Sequence, residues 1–196
     1  MMKRDECLRI LARHAPNDIV VATYSSAFDW LVIRPHPLNY VSIGAMGLAS
    51  SHALGLALGR PDKRVLVLDG DGSLLMNLGS LATMAEAAPR NLVHFVCENG
   101  TYEANGGVPI PSRSQLDFVG FARAAGYARC HRFSDLAEFE ARIAGVLRED
   151  GPVFVSLQVV QGVASPRDYS FIHGAAARSA FKAALSQSAA DFEVRP

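Results

Sequence analysis

The chain has 196 residues, 49% of them hydrophobic and 19% charged, with 19 Lys+Arg set against 19 Asp+Glu. A folded chain of this length buries roughly 70% of the surface its unfolded form exposes, so a core is attainable without disulfides or structural metal. Zero net charge gives no long-range field for a nucleic-acid backbone or an anionic membrane, which sets both aside as partners, and it favours self-association or a protein partner.

Along the chain, residues 3–14 read as a helix, and the charges at Lys3, Arg4, Asp5, Glu6, Arg9 and Arg13 interrupt any apolar core of the kind a signal peptide needs. Short apolar runs at 18–24, 40–43, 64–68, 92–97, 128–133 and 152–160 are rich in Val, Ile, Leu and Phe and read as strands buried on both faces. Helical segments separate them at 26–33, 46–58, 74–88, 115–125 and 135–148, and a polar loop with Ser165, Pro166, Arg167 and Asp168 leads to a last helix at 175–186. Residues 41–59 carry no formal charge, but their four glycines, three serines and His52 mark a tightly packed soluble helix rather than a membrane span. This alternation predicts an α/β fold in three layers: a mainly parallel sheet of about six strands with helices on both faces, forming a single domain over 1–196. Cys7, Cys97 and Cys130 are too widely spaced for a CxxC site and read as reduced thiols in a cytoplasmic chain.

Ligands of parallel sheets bind beyond the carboxyl ends of the strands. Three of those ends carry unusual residues: Ser25-Ser26, Asp69-Gly70-Asp71-Gly72-Ser73 and Glu98-Asn99-Gly100. The second joins a strand to a helix N-terminus, where Gly70 and Gly72 let backbone approach a ligand closely and free N–H groups suit a phosphate. It is not a dinucleotide fingerprint, because Leu75 stands at the third glycine, and the chain has no Gly-Lys-Ser/Thr of a P-loop. An EF-hand fails too, with Leu74 and Ser80 where Gly and Glu are required. Asp71 would repel a bare diphosphate, so a divalent cation between them resolves the conflict. Magnesium accepts one carboxylate together with phosphate oxygens, and Asn99 at the next strand end offers a second protein oxygen. Taken alone, the turn reads equally as a plain connection.

Gly70-Asp71-Gly72, then 25 residues (73–97), then Glu98-Asn99, resembles the thiamine diphosphate motif, in which Gly-Asp-Gly is followed at a similar distance by Asn-Asn. Gly44-Ala-Met46-Gly47-Leu-Ala-Ser-Ser51 upstream and Glu98-Asn-Gly-Thr-Tyr-Glu103-Ala-Asn-Gly-Gly107 downstream are similar to the cofactor-binding half of the sulfopyruvate and phosphonopyruvate decarboxylases, and the likeness extends over about 18–160. The resemblance implies thiamine diphosphate and Mg²⁺ as cofactors. Asp71 and Asn99 would ligate the metal through side-chain oxygens and Thr101 through its carbonyl, with Gly70, Gly72 and Ser73 at the diphosphate. It further implies that Met46 props the cofactor into a bent shape, that the Gly44 carbonyl accepts from its amino group, and that Ser25, Ser26 and Tyr102 lie against it. Without the resemblance, Met46 reads as core filling. Glu98 in place of the first Asn and Val108 in place of a common Gln depart from the family pattern.

His52 follows on the next helix and either faces the cofactor as a catalytic residue or packs against the sheet; Glu103 is a second catalytic candidate. Arg113 is the kind of cation an anionic 2-oxoacid requires. The resemblance therefore implies a subunit of a thiamine diphosphate and Mg²⁺ dependent decarboxylase acting on a small 2-oxoacid. Enzymes similar to it take an activating glutamate from a second α/β domain. With 36 residues after Val160, this chain is expected to obtain it from a separate pyrimidine-binding subunit, in a homodimer or hetero-oligomer. The alternative is a non-catalytic cofactor-binding module or a subunit of another thiamine diphosphate enzyme. A 2-oxoacid:ferredoxin oxidoreductase subunit is disfavoured, because three scattered cysteines cannot hold iron–sulfur clusters.

Overall fold

The structure, a computed structural model, describes residues 1–41, 46–162 and 165–193, with side chains as far as 186. Strand β1 (Met2–Lys3) runs into helix α1 (Arg4–Arg13), β2 (Ile19–Ala22) into α2 (Tyr24–Ile33), and β3 (Asn39–Val41) precedes α3 (Ala49–Gly59). Strand β4 (Val65–Gly70) is followed by the short α4 (Asp71–Leu75) and by α5 (Ser80–Ala87). After β5 (Leu92–Glu98) the chain makes a small hairpin, β6 (Thr101–Tyr102) with β7 (Val108–Pro109), around a 3-10 turn at Glu103–Asn105. Then come α6 (Phe118–Ala125), β8 (Arg129–Phe133), α7 (Leu136–Val146), β9 (Val153–Val160), α8 (Tyr169–His173) and α9 (Ala175–Glu193).

The main sheet is parallel throughout, in the order β3-β2-β4-β5-β9, and the outer edge of β9 is shared by β8 along Val153 to Leu157 and by β1 at Val159 and Val160. Strand residues alternate between two cores. Val20, Leu66, Phe95 and Val155 face a layer formed by α1, α2 and α7, through Leu8, Trp30 and Phe139. Val21, Val67, Val96 and Phe154 face the opposite layer, through Ala53 on α3, Met84 on α5 and Val119 on α6. Because both faces are covered, the strands read as continuous apolar runs rather than alternating ones.

The six expected strands are present. The seventh, β1, has two residues and pairs with a strand more than 150 residues away, so no local pattern announces it. Helix 46–58 starts at Ala49 instead, because Gly47 holds φ +83. The expected helix 74–88 is broken into α4 and α5, since the Asn77 amide donates to the Gly47 carbonyl (2.9 Å) and ties the intervening turn to the neighbouring loop. Asp135 caps α7 by accepting from the Glu138 N–H at 2.8 Å, a sequence-visible start, and α9 continues beyond 186 to Glu193. No helix among the described residues is long and apolar enough to cross a membrane.

Phe95 lies fully buried on the central strand β5, so Phe95→Ala should lower unfolding free energy by about 3–5 kcal/mol. Leu58→Gln, at a site 57% exposed on α3, should stay within about 0.5 kcal/mol of the parent. Urea denaturation of the two variants checks both values.

Candidate functional site

Parallel pairing of β4 with β5 places Gly70 opposite Cys97, so the two turns that follow are neighbours at the same edge of the sheet. Asp71 is 2% exposed there. Its Oδ1 accepts from the Gly72 N–H at 2.8 Å and its Oδ2 from the Gly100 N–H at 2.6 Å, which stitches one turn to the other. Burial pushes the Asp71 carboxyl up to about 6, the Glu98 charge adds to this, and the backbone donors oppose it. Asn99 is buried beside it. The Asn99 Oδ1 accepts from the Thr101 N–H at 2.8 Å and from the Thr101 hydroxyl at 3.0 Å, while its Nδ2 donates to Glu103 Oε2 at 2.9 Å.

Close approach is built in at Gly72, where a Cβ would stand 2.6 Å from the Tyr102 ring. Ser73 holds the opposite wall: its Oγ accepts from the Gly47 N–H at 2.9 Å, which sets the adjacent Met46 at the rim of the cleft. The third wall is the junction of β2 with α2. Tyr24 takes φ 44 there, the left-handed region that glycine enters freely. Ser25 and Ser26 lie in the first turn of α2 and line the cleft. Thr23 is 3% exposed, and its hydroxyl, also in the cleft wall, has no hydrogen-bond partner among the described residues. Together these walls enclose an open cleft of about 390 Å³.

The arrangement fits a magnesium–diphosphate pair. Among the described residues no cluster of three or more His, Cys, Asp or Glu could hold a metal ion. One desolvated carboxylate and one amide oxygen suit a hard cation that draws its other ligands from phosphate and water. The orphaned Thr23 hydroxyl and the first turn of α2 offer donors to an anion on the far side of the cleft.

Of the residues singled out from the sequence, Ser25, Ser26, Met46, Gly70, Asp71, Gly72, Ser73, Asn99, Thr101, Tyr102 and Glu103 line this one cleft. His52 does not: it is exposed on α3, with its ring 5.5 Å from that of Tyr40. Gly44 lies outside the described residues. Glu98 turns to β9, where its Oε1 accepts from the Ser156 hydroxyl at 2.5 Å. Sequence reasoning missed Thr23 and Arg4. Arg4 begins α1 and its side chain is 5% exposed, at the cleft wall, with its Nε donating to Asp29 Oδ2 at 2.7 Å and its Nη1 to Glu103 Oε2. Its neighbours Lys3 and Asp5 are ordinary surface charges, so nothing local distinguishes it.

The family described as thiamine pyrophosphate enzyme, C-terminal TPP binding domain, matches residues 22–157. Phosphonopyruvate decarboxylase of Streptomyces hygroscopicus is 39% identical over 155 residues, which cover 79% of this chain and 38% of the relative. Sulfopyruvate decarboxylase subunit beta of Methanothermobacter thermautotrophicus is 36% identical over 163 residues, covering 83% of this chain and 84% of the relative. The chain thus spans about two fifths of the phosphonopyruvate decarboxylases it matches, at 38% and 40%, and most of the subunit. Among solved structures, benzoylformate decarboxylase from Polynucleobacter necessarius shares the fold with a TM-score of 0.67 at 19% identity, over 82% of this chain and 33% of that one.

Gly72→Ala should lower unfolding free energy by about 1–3 kcal/mol, because the new methyl group displaces the Tyr102 ring. In a Tyr102→Ala background the same change should cost less than about 0.5 kcal/mol. Urea denaturation of the four chains reads the coupling, and equal costs in both backgrounds would show that the ring does not define this wall.

Proposed function

Because this chain belongs to the thiamine pyrophosphate enzymes, matching their C-terminal cofactor-binding domain, we propose that it is the cofactor-binding subunit of a thiamine diphosphate and Mg²⁺ dependent decarboxylase of sulfopyruvate or phosphonopyruvate type. The observation that carries the reading is the Asp71–Asn99 pair, two oxygen donors from adjacent strand ends, facing the donor-rich junction of β2 with α2.

In this reading Asp71 and Asn99 hold the metal with the Thr101 carbonyl. Gly70, Gly72, Ser73, Ser25 and Ser26 surround the diphosphate, and the Thr23 hydroxyl gains the partner it lacks. Met46 packs beneath the ring system, held there through the Gly47–Ser73 hydrogen bond. The bound cofactor supplies the nucleophilic carbon and the electron sink through which a 2-oxoacid loses CO₂. The protein's part is to bind, bend and orient it. His52 lies outside the residues that line the cleft, and Glu103 acts on the metal site rather than on substrate.

The activating glutamate would come from a separate subunit with a pyrimidine-binding domain. Two features support this: a relative named as a subunit beta matches over most of both chains, and Leu48, Met76 and Val108, close to the cleft-lining Met46, to Gly47 and to the cleft-lining Tyr102, expose 42%, 60% and 57% of their surface. A cytoplasmic setting suits the three free cysteines, of which Cys97 in the cleft wall has its thiol pushed up to about 12 by burial.

Titration calorimetry should show thiamine diphosphate binding in Mg²⁺ and none in excess EDTA, and Asp71→Ala should weaken it by on the order of 100-fold or more. Unchanged affinity in Asp71→Ala would overturn the site. Met46→Ala should cut turnover more than affinity, since the diphosphate anchor is intact while the reactive carbon loses its orientation. The chain alone should not decarboxylate sulfopyruvate or phosphonopyruvate, and activity should appear when the partner subunit is added. Turnover by the lone chain would remove the partner from the proposal. Cofactor binding with no turnover in the complex would leave a non-catalytic binding module.

A further inference from the structure

We infer that Glu103, clamped by Arg4, is a positioning residue that fixes which way the Asn99 amide faces; this rests on the cofactor reading above. Asp71 Oδ2 and Asn99 Oδ1 accept from consecutive backbone amides, those of Gly100 and Thr101. That arrangement puts the oxygen of Asn99, and not its nitrogen, on the side of Asp71. An amide is nearly symmetric in shape, so its orientation must be set by partners. Thr101 supplies two donors to one end, and the Glu103 carboxylate accepts from the other. A flipped amide would set its oxygen against the carboxylate and its NH₂ against an N–H, losing the bonds at both ends, and would present hydrogens to a cation.

The Glu103 carboxylate is itself held in place. Its side chain is 8% exposed, and Arg4 meets it with both terminal nitrogens, Nη1 at Oε2 and Nη2 at Oε1, the latter at 3.3 Å. Burial works against the Arg4 charge, but the Glu103 hydrogen bond and the Asp29 and Glu103 charges outweigh it, holding the guanidinium above its ordinary range. Arg4 is itself anchored twice, by the pairing of β1 on β9 and by Asp29 on α2, the helix whose first turn walls the cleft. The start of α1, anchored by β1, thus helps to orient a proposed metal ligand.

Glu103→Gln tests this without stranding a charge, because Arg4 keeps Asp29 as its counter-ion. With thiamine diphosphate saturating, the variant's Mg²⁺ affinity by calorimetry should fall about 10- to 100-fold, the range for outer partners of metal ligands, with the unfolding temperature of the ligand-free chain changed by no more than a few degrees. The decisive variant is Glu103→Gln with Asn99→Asp. An aspartate offers oxygen in either orientation, and the amide introduced by Glu103→Gln can donate to it, so the pair should recover most of the lost affinity, whereas Asn99→Asp alone faces Glu103 as a like charge and should bind poorly. Unchanged Mg²⁺ affinity in Glu103→Gln overturns the inference, as does a loss that the double variant fails to recover although both chains fold. Failure of the parent chain to bind Mg²⁺ with thiamine diphosphate overturns the cofactor reading itself, and this inference with it.

Discussion

The hydrogen bond from the Gly100 N–H to Asp71 Oδ2 is the constraint on which the site turns. It joins the ends of two strands that are adjacent only because β4 and β5 pair in parallel, with Gly70 beside Cys97. A slip of one residue in that register would send every side chain of β5 to the other face, burying the wrong half of Val93, Phe95 and Cys97 and parting Asp71 from the Asn99 turn. The sheet's own hydrophobic pattern, fully buried on both faces, therefore fixes the distance between the two oxygen donors. Gly100 can close the turn because it holds φ +72, in a position where the Arg113 side chain passes over its backbone.

How much of this was legible in the sequence depends on the range over which each feature is determined. The strands at 64–68 and 92–97 are local apolar runs, and the Gly-Asp-Gly turn between strand and helix is a local pattern, so both stand out from the residues alone. The break between α4 and α5 depends on Asn77 reaching Gly47, some 30 residues away, and the apolar periodicity on both sides hides it. Arg4 lies further beyond reach: its meaning comes from Glu103, 99 residues on, and from Asp29, on the neighbouring helix α2. His52 illustrates the converse. A histidine following a motif by a few residues is drawn toward the site by sequence proximity, but the left-handed Gly47 starts the helix on a bearing that carries position 52 to the Tyr40 side.

Strain is concentrated where the walls of the cleft meet. Tyr24 sits at φ 44 without glycine's freedom, which costs on the order of 1 kcal/mol and persists only because its neighbours are fixed. The burial of Thr23, Ser25 and Ser26 and the packing of Phe28 against Tyr169, with ring centroids 5.3 Å apart, hold the first turn of α2 in place. Thr23 emerges from this with a buried hydroxyl unpartnered among the described residues, a further cost that a bound anion would relieve. Binding at this wall thus has part of its free energy stored in the fold.

The charges near the cleft number more than the motif requires, and their pairing decides what reaches a cation. Glu98, standing where the family motif has Asn, would add a second carboxylate to the metal site if it pointed inward. Its bond to Ser156 instead turns it across the sheet to β9, and it borders a separate recess with Arg113 and Gln158 on the other side of the Asn99–Gly100 turn. Arg4 pairs with both Glu103 and Asp29, one cation between two carboxylates. Asp71 is left as the one lining carboxylate without a cationic partner among the described residues, held by backbone N–H groups alone. Asp71 alone would leave a divalent ion beside it short of neutrality, and the remaining positive charge is what a diphosphate would meet. Glu98 facing inward would bring a second carboxylate to such an ion, and the Ser156 hydroxyl, on a different strand, holds it away from the cleft.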